Sequence, residues 1–576
     1  MKILLVHPLD TADVGPWTDE RWDLIVDLGK NGLRTHEQWR NHFNCDLQAL
    51  DFFRNGFSDF YQIRELLGRG CRSLVDEFGL DWWEILSILL HEEVEVLVLL
   101  QRLARTFGPS DEVHISRPSL HADILYCLLA GHIRIFRPRF IVQKGLTHYF
   151  RAVARLSASQ IIDILGDKYD PAYQFRGRLT GKRAASSRPS ILVPTAYVNG
   201  SRTGLDYAKT FSEQDFLLVT TRQSGWVDAP PRNVRMARLS SYASSGDHGA
   251  EDVHLDRRLR LLLTELCRSP EFEILNRLGH LSMFPSRLQN GIKVRDAWRN
   301  VLDHEPVQGV LCTDDSNPYT RIPLLLARER GLPSIACHHG ALDGRYVFKR
   351  SYGSTIWVKG EMERDYLVNK CKVPAERVEI CAPALSLPSD AHESPSLGGQ
   401  RPYIVFFSEQ YENLGGRAEG FYQDTVPALA DLALATGRKL VVKLHPAESA
   451  WERTRTLIRT ISETQLKAVQ VVSGPLTEDL LAKTWFGVTV LSTVSMECTV
   501  RGIPCFLCKW LEPGGYEYVA QFTHFGAGIA LNGPGDIVTI PQYMQTEAVA
   551  KVSKRHLWQT ADKDRLKTLL APKALT

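Results

Sequence analysis

The chain has no apolar run long enough to cross a bilayer. Its most apolar stretch, 85-ILSILLHEEVEVLVLL-100, is broken by His91-Glu92-Glu93, and a spanning helix needs about 20 apolar residues. A secretory leader is missing too, because the apolar run opening 1-MKILLVHPLD-10 is very short and acidic residues follow it. Charge of one sign is scarce in excess: a net charge of +3 over 576 residues lacks the clustered basic face of a nucleic-acid binder. The 11 cysteines are scattered and odd in number, which argues against disulfides in a chain without an export signal. The one C-x-x-C, 505-CFLC-508, has no second pair and no nearby histidines, so it reads as core rather than zinc. There is no Walker A: 177-GRLTGKRA-184 is one residue short and has no Ser or Thr after the lysine. These absences leave a cytoplasmic globular protein as the expectation.

What is present is a rhythm of short apolar runs and helix-length gaps. Runs such as 2-KILLVH-7, 191-ILVPTA-196, 216-FLLVTT-221, 308-QGVLCTDD-315, 403-YIVFFSEQ-410, 439-KLVVKLHP-446 and 486-FGVTVLST-493 are continuous rather than alternating, the mark of strands buried on both faces. The gaps between them predict parallel βαβ units. Helices are predicted over 87–107, over 323–331 from Pro to Gly, and over 424–437. At this length one core does not suffice. The basic stretch 176–189 and the Pro/Ser/Gly-rich 385–402 serve as joints. They divide the chain into an N-terminal α/β region (1–180), two Rossmann-like domains (181–395 and 396–545) and a helical tail (546–576).

Two strand ends carry the sharpest chemistry. 439-KLVVKLHPAES-449 ends a strand on His445-Pro446, and ligands of open parallel sheets bind beyond such ends. 491-LSTVSMECTVRGIP-504 offers Ser492, Thr493 and Ser495 before a helix carrying Glu497. Hydroxyls and free amides at a helix start suit an anion; the plainer reading is an N-cap with a capping-box-like glutamate.

K-x-H-P followed by S-T-x-S-x-E-x-x-x-x-G-x-P resembles the donor-binding domain of GT-B glycosyltransferases. Among these it is similar to bacterial surface-polysaccharide enzymes that use CMP-sialic acid or CMP-Kdo, and to CDP-glycerol glycerophosphotransferases. The resemblance covers mainly residues 305–510. It implies an α/β fold with two Rossmann-like domains facing a cleft, beside an N-terminal α/β extension. It further implies that Lys443, His445, Pro446, Ser492, Thr493 and Ser495 bind the donor's phosphate side and that Glu497 holds the ribose. Related enzymes often carry Gln-His-Gly where this chain has 338-HHG-340, which makes His339 the aligned histidine.

Further candidates come from the residues themselves. Asp314 and Asp315, in 312-CTDDSNP-318, sit at a strand tip, suited to a general base or to a plain turn. Glu409 ends the first strand of the second domain, and Arg417 follows in a glycine-rich loop that could face donor phosphates. Trp17, Trp22, Trp82 and Trp83, with nearby carboxylates, could form a sugar-stacking surface or simply core. The only D-x-D, 562-DKD-564, lies in a polar tail rather than after a buried strand, which argues against a manganese-dependent GT-A enzyme.

The expected function is therefore a metal-independent GT-B transferase needing no cofactor beyond a nucleotide-sugar donor, CMP-linked before UDP-linked. It would act on a glycan or lipid-linked acceptor, without nucleic acid, in or peripherally at the inner face of the cytoplasmic membrane. Asp314, Asp315, His339 and Glu409 are the catalytic candidates. A nucleotide-sugar 2-epimerase and a non-catalytic glycan-binding module are the alternatives.

Overall fold

The computed structural model describes residues 1–28, 39–49, 57–136, 188–384, 401–544 and 554–570, save 8–9, 11, 13–14, 223–224, 244–249, 317, 341–346, 348, 350–352, 412–417, 446–447, 475 and 513–516. The chain folds as two compact units. One comprises Met1–Asp59, Val98–Pro138 and Ser386–Trp558; the other comprises Phe60–Leu97, Arg139–Leu385 and Gln559–Thr576. Among the described residues no helix is long and apolar enough to cross a membrane.

The expected α/β class with parallel sheets is what the chain forms. The N-terminal sheet contains β1 (Lys2–Val6), β2 (Leu24–Asp27), β3 (Asp46–Ala49), β4 (Glu112–Ile115) and β5 (Ile133–Ile135), in the order β3-β2-β1-β4-β5. The second unit holds a seven-stranded sheet of β6 (Ser190–Thr195), β7 (Asp215–Thr220), β8 (Val234–Arg238), β9 (Val307–Cys312), β10 (Ser334–Ala336), β11 (Thr355–Val358) and β12 (Val378–Ile380), ordered β12-β11-β10-β9-β6-β7-β8. The third sheet, in the first unit, has β13 (Tyr403–Phe407), β14 (Lys439–Lys443), β15 (Val469–Val472), β16 (Thr484–Thr489), β17 (Cys505–Cys508) and β18 (Ile529–Leu531), ordered β15-β14-β13-β16-β17-β18. Every pairing in all three is parallel.

In each sheet the first strand lies inside and the chain winds outward in both directions from it. That reversal opens a crevice at the carboxyl ends of β1 and β4, of β6 and β9, and of β13 and β16. Ile191, Leu192 and Val193 of β6 and Ile404, Val405 and Phe406 of β13 are buried on both faces, which is why these strands read as unbroken apolar runs.

The helices that matter below are α1 (His91–Ala104), α2 (Val198–Thr210), α3 (Phe284–His304), α4 (Pro318–Glu329), α5 (Glu361–Asp365), α6 (Ala418–Ala435), α7 (Ala450–Thr460), α8 (Val494–Val500) and α9 (Lys563–Leu570). α1 lies within the predicted 87–107. α4 begins before Pro323, taken as its start signal, and α6 before Asp424, the predicted start, which leaves Pro323 and Pro427 inside them. Pro323 has no N–H for the carbonyl of Tyr319, and that carbonyl instead accepts from Trp298 Nε1 at 2.7 Å.

The boundary at 180 needs correcting for one segment. Residues 60–97 fold with the seven-stranded sheet rather than with the rest of the N-terminal region. Asp76 Oδ2 accepts from Trp82 Nε1 at 2.9 Å and from Arg295 Nη1 of α3 at 3.1 Å, and Arg321 Nη2 of α4 meets Glu84 Oε1 at 2.7 Å. All of these side chains are buried. Gly291 makes room: a Cβ there would fall 2.5 Å from the Trp82 ring. The tryptophan surface is corrected by the same packing. Trp82 and Trp83 are fully buried, and Trp17 and Trp22 join Leu4, Val6 and Ile25 in the core under the N-terminal sheet.

Candidate functional site

The carboxyl edge of the seven-stranded sheet gathers titratable groups. β9 and β10 are hydrogen-bonded neighbours, so the loops leaving them emerge side by side. The first carries Asp314, the second His338 and His339. One ligating atom from each of the three lies within 4.8 Å of the others, and the two imidazoles stack at 4.8 Å between centroids.

This cluster is held from below. Lys359, just past β11, donates to the carbonyls of His338 (2.9 Å) and Gly340 (3.4 Å) and to Glu363 Oε1 of α5 (2.9 Å), while Glu363 Oε2 accepts from the Lys359 amide at 2.7 Å. Lysine and glutamate four residues apart thus neutralise each other and fix the backbone bearing both histidines. Asp314 Oδ1 accepts from the amide of Ser316 at 3.0 Å and from the Ser316 hydroxyl. Burial works against the Asp314 charge, but His339, His338, Ser316 and Lys349 outweigh it and hold the carboxyl below its ordinary range. Burial, then His339, push His338 well below the usual imidazole range, so it is neutral at physiological pH.

These three residues also form a set that could hold a divalent cation. The hydrogen bonding favours proton chemistry instead. His338 Nδ1 accepts from the Gly340 amide at 3.3 Å, which puts the neutral ring's proton on Nε2 and makes that nitrogen a donor rather than a metal ligand.

Asp315 is a correction. Its carboxylate turns inward to Lys349 and both side chains are fully buried, out of reach of an acceptor hydroxyl. Sequence reasoning passed over Lys359 and Glu363, although a lysine after the buried run 354-STIWV-358 was a visible signal. It also passed over Arg222 at the end of β7, which donates to Tyr197 Oη at 2.7 Å and lies over the Tyr197 and Tyr319 rings at 4.8 and 5.9 Å. Tyr197 follows β6 and Tyr319 opens α4, so this cluster lies on the same edge as Asp314.

The carboxyl edge of the six-stranded sheet answers why a buried strand ends on His445-Pro446-Ala447-Glu448. Glu448 folds back. Its Oε2 accepts from the His445 amide at 2.8 Å, and its Oε1 accepts from Ser408 Oγ at 2.9 Å and Arg453 Nε at 2.7 Å. The Glu448 amide returns to the His445 carbonyl at 2.9 Å, and Ser449 caps α7. The turn is locked, and the His445 side chain is left exposed. Burial raises the Glu448 carboxyl above its ordinary range, with the His445 amide and Arg453 opposing.

Other donor-side candidates fare differently. The Lys443 ammonium is buried and donates to the carbonyls of Leu444 and Gly474, both at 2.7 Å, so it braces loops instead of facing phosphate. Ser495 is fully buried and its hydroxyl has no hydrogen-bond partner. The amides expected to be free at the start of α8 are taken: Val494 by Ser492 Oγ (3.4 Å), Ser495 by the Ser492 carbonyl, and Met496 and Glu497 by the Thr493 carbonyl. Ser492, Thr493 and Glu497 remain half-buried on this edge. Glu409 closes the crevice between β13 and β16: its Oε1 accepts from Thr489 Oγ1 and the Leu491 amide, both at 2.9 Å. Burial raises its carboxyl, and its partners make it a strand clamp rather than a catalytic group. Arg417 and Pro446 lie outside the described residues.

No family model matches the chain, and no curated protein matches it. Among solved structures it is similar to CalG4, the calicheamicin glycosyltransferase (12% identity, TM-score 0.39, covering 68% of this chain and 100% of that one). It is similar also to MurG of Acinetobacter baumannii (11%, 0.37, 66% and 98%), and to the UDP-GlcNAc 2-epimerase of Neisseria meningitidis bound to UDP-GlcNAc (11%, 0.38, 66% and 98%). At such identities and TM-scores the likeness says nothing of this chain's substrate or reaction.

Proposed function

We propose that this protein is a glycosyltransferase of GT-B type that moves a sugar from a nucleotide donor to a hydroxyl acceptor. One observation carries the reading: Asp314, His338 and His339 converge at the carboxyl ends of neighbouring parallel strands, on a backbone pinned by the Lys359–Glu363 pair. A carboxylate held ionised beside the neutral His338 and beside His339 is a group able to accept a hydroxyl proton as the hydroxyl attacks a sugar carbon. On the six-stranded sheet, the locked turn offers the exposed His445 as a donor to the leaving phosphate, with Ser492 and Thr493 after β16 on the same carboxyl edge and Glu497 toward the ribose. The resemblance to surface-polysaccharide enzymes carried by K-x-H-P and S-T-x-S-x-E supports a CMP-linked sugar before a UDP-linked one and a surface glycan or lipid-linked glycan as acceptor.

The test is a thermal-shift panel of CMP, CDP, UDP, GDP and TDP on the wild type and His445→Ala. A ligand at 100 times its dissociation constant adds about 2.7 kcal/mol of stability. A CMP-selective rise in Tm that is lost in His445→Ala is the expected result. A UDP-selective rise turns the donor to the other class, and product analysis without acceptor then separates transfer from 2-epimerisation. No rise with any nucleotide overturns the enzyme reading.

A further inference from the structure

The turn that ends β14 occurs a second time. β1 runs into His7-Pro8-Leu9-Asp10 as β14 runs into His445-Pro446-Ala447-Glu448. In both, the histidine amide donates to the carboxylate three residues on, at 3.1 Å to Asp10 and 2.8 Å to Glu448. In both, the amide of that acid returns to the histidine carbonyl at 2.9 Å. In both, the carboxylate is buried and paired with an arginine, Arg117 for Asp10 and Arg453 for Glu448. A serine completes each: Ser116 Oγ accepts from the His7 amide at 2.9 Å, and Ser408 Oγ donates to Glu448.

The place is telling as well. His7 ends the innermost strand of the N-terminal sheet, and Ser116 and Arg117 end β4 beside it, so the turn stands at that sheet's own crevice, where open parallel sheets bind ligands. Asp27, buried, ends β2 on the other side. A surface turn has no need of a carboxylate withdrawn from water with its arginine, an arrangement costly in desolvation. What the lock fixes is the backbone of one histidine at a strand end, and Arg117, about a third exposed, adds a guanidinium at the same edge.

Resting on the reading of the His445 turn as a phosphate site, we infer that the N-terminal sheet carries a second oxyanion site, in which His7 and Arg117 receive the phosphate group of a second ligand. The chemistry is that of a phosphate ester. It could come from a free nucleotide or from a phosphate-linked acceptor.

Inorganic pyrophosphate is the probe, titrated by calorimetry into the full chain. The variants are His7→Ala, His7→Asn, His445→Ala and the double alanine. Two equivalents bound by the wild type, one by each single alanine variant and none by the double variant is the expected result, with His7→Asn keeping part of the site because its amide still donates. One equivalent in the wild type, lost in His445→Ala and kept in His7→Ala, overturns the second site and leaves the donor reading standing. One equivalent lost in His7→Ala and kept in His445→Ala sinks the donor role of His445 and supports the second site. A lower Tm in His7→Ala with both equivalents retained marks the turn as structural and also overturns the inference. In His445→Ala, displacement of pyrophosphate by CMP but not by glycerol phosphate points to a nucleotide, and the reverse to a phosphate-linked acceptor.

Discussion

His338 and His339 are neighbours in sequence but differ in burden. His338 has its Nδ1 engaged by the Gly340 amide and is kept neutral; His339 and Asp314 are left to handle the acceptor proton. Asp314→Asn or His339→Ala should therefore lower turnover by about 10²–10⁴-fold, with nucleotide affinity nearly unchanged. Steady-state rates beside nucleotide Tm shifts check this, and full activity in both variants would move the chemistry elsewhere. The lowered pKa of His338 gives a sign as well. Its unfolded-state counterpart takes a proton as pH falls below about 6.5, while the folded ring resists. Protons then favour the unfolded chain, so the effect is absent above that pH and destabilises below it. Tm should drop between about pH 7.5 and 5.5, and the drop should shrink in His338→Gln; an identical drop in the variant would show that other groups set it.

At the scale of elements, continuous burial was legible and most edges were not. Interior strands such as β6, β9, β13, β14 and β16 announced themselves because both faces are covered and their central side chains are mostly apolar. β3, β5, β8, β12 and β18 are five of the six sheet edges; short and, apart from β18, partly polar, they give no apolar run to read. β4 is interior yet mixes Glu112 and His114 with Val113 and Ile115, so its pattern resembled a loop. Helix starts misled for another reason. A proline reads as a first-turn residue, but a side chain elsewhere can supply the donor it lacks, as Trp298 does for Tyr319 in α4. Trp298→Phe keeps most of the ring volume and removes that donor. It should cost about 1–3 kcal/mol, the penalty for a buried carbonyl left unpaired, measurable as a lower denaturation midpoint with unchanged m-value. The candidate site followed the same rule. His445 and Asp314 stand at strand ends, on the carboxyl edges of their sheets. Lys443, Ser495 and Asp315 were placed correctly in sequence but face inward, a distinction one residue of twist makes and spacing cannot express.

The whole molecule adds a constraint that no local pattern carries, because the chain crosses between its two units several times. Its last crossing brings residues 559–570 to the seven-stranded unit, where they reach the candidate site's supports. The Gln559 amide donates to the Lys359 carbonyl at 2.8 Å, and Thr560 pairs with Ala382 beyond β12. Arg565 Nε of α9 meets Glu379 at 3.0 Å, Leu566 is buried against the sheet, and Leu569 and Leu570 pack on the same core. Since Lys359 also holds the His338 and Gly340 carbonyls, the tail braces the backbone on which the histidines stand. Truncation after Trp558 should lose about 1.5–3 kcal/mol for Leu566 alone and lower turnover through the loosened Lys359. Leu566→Ala, which trims the core but keeps the Gln559 and Arg565 bonds, should lower Tm with turnover retained at temperatures well below unfolding. Rates for the two variants at one such temperature decide the matter. If both lose activity alike, the tail contributes stability only; if the truncation alone does, the link through Lys359 is the reason.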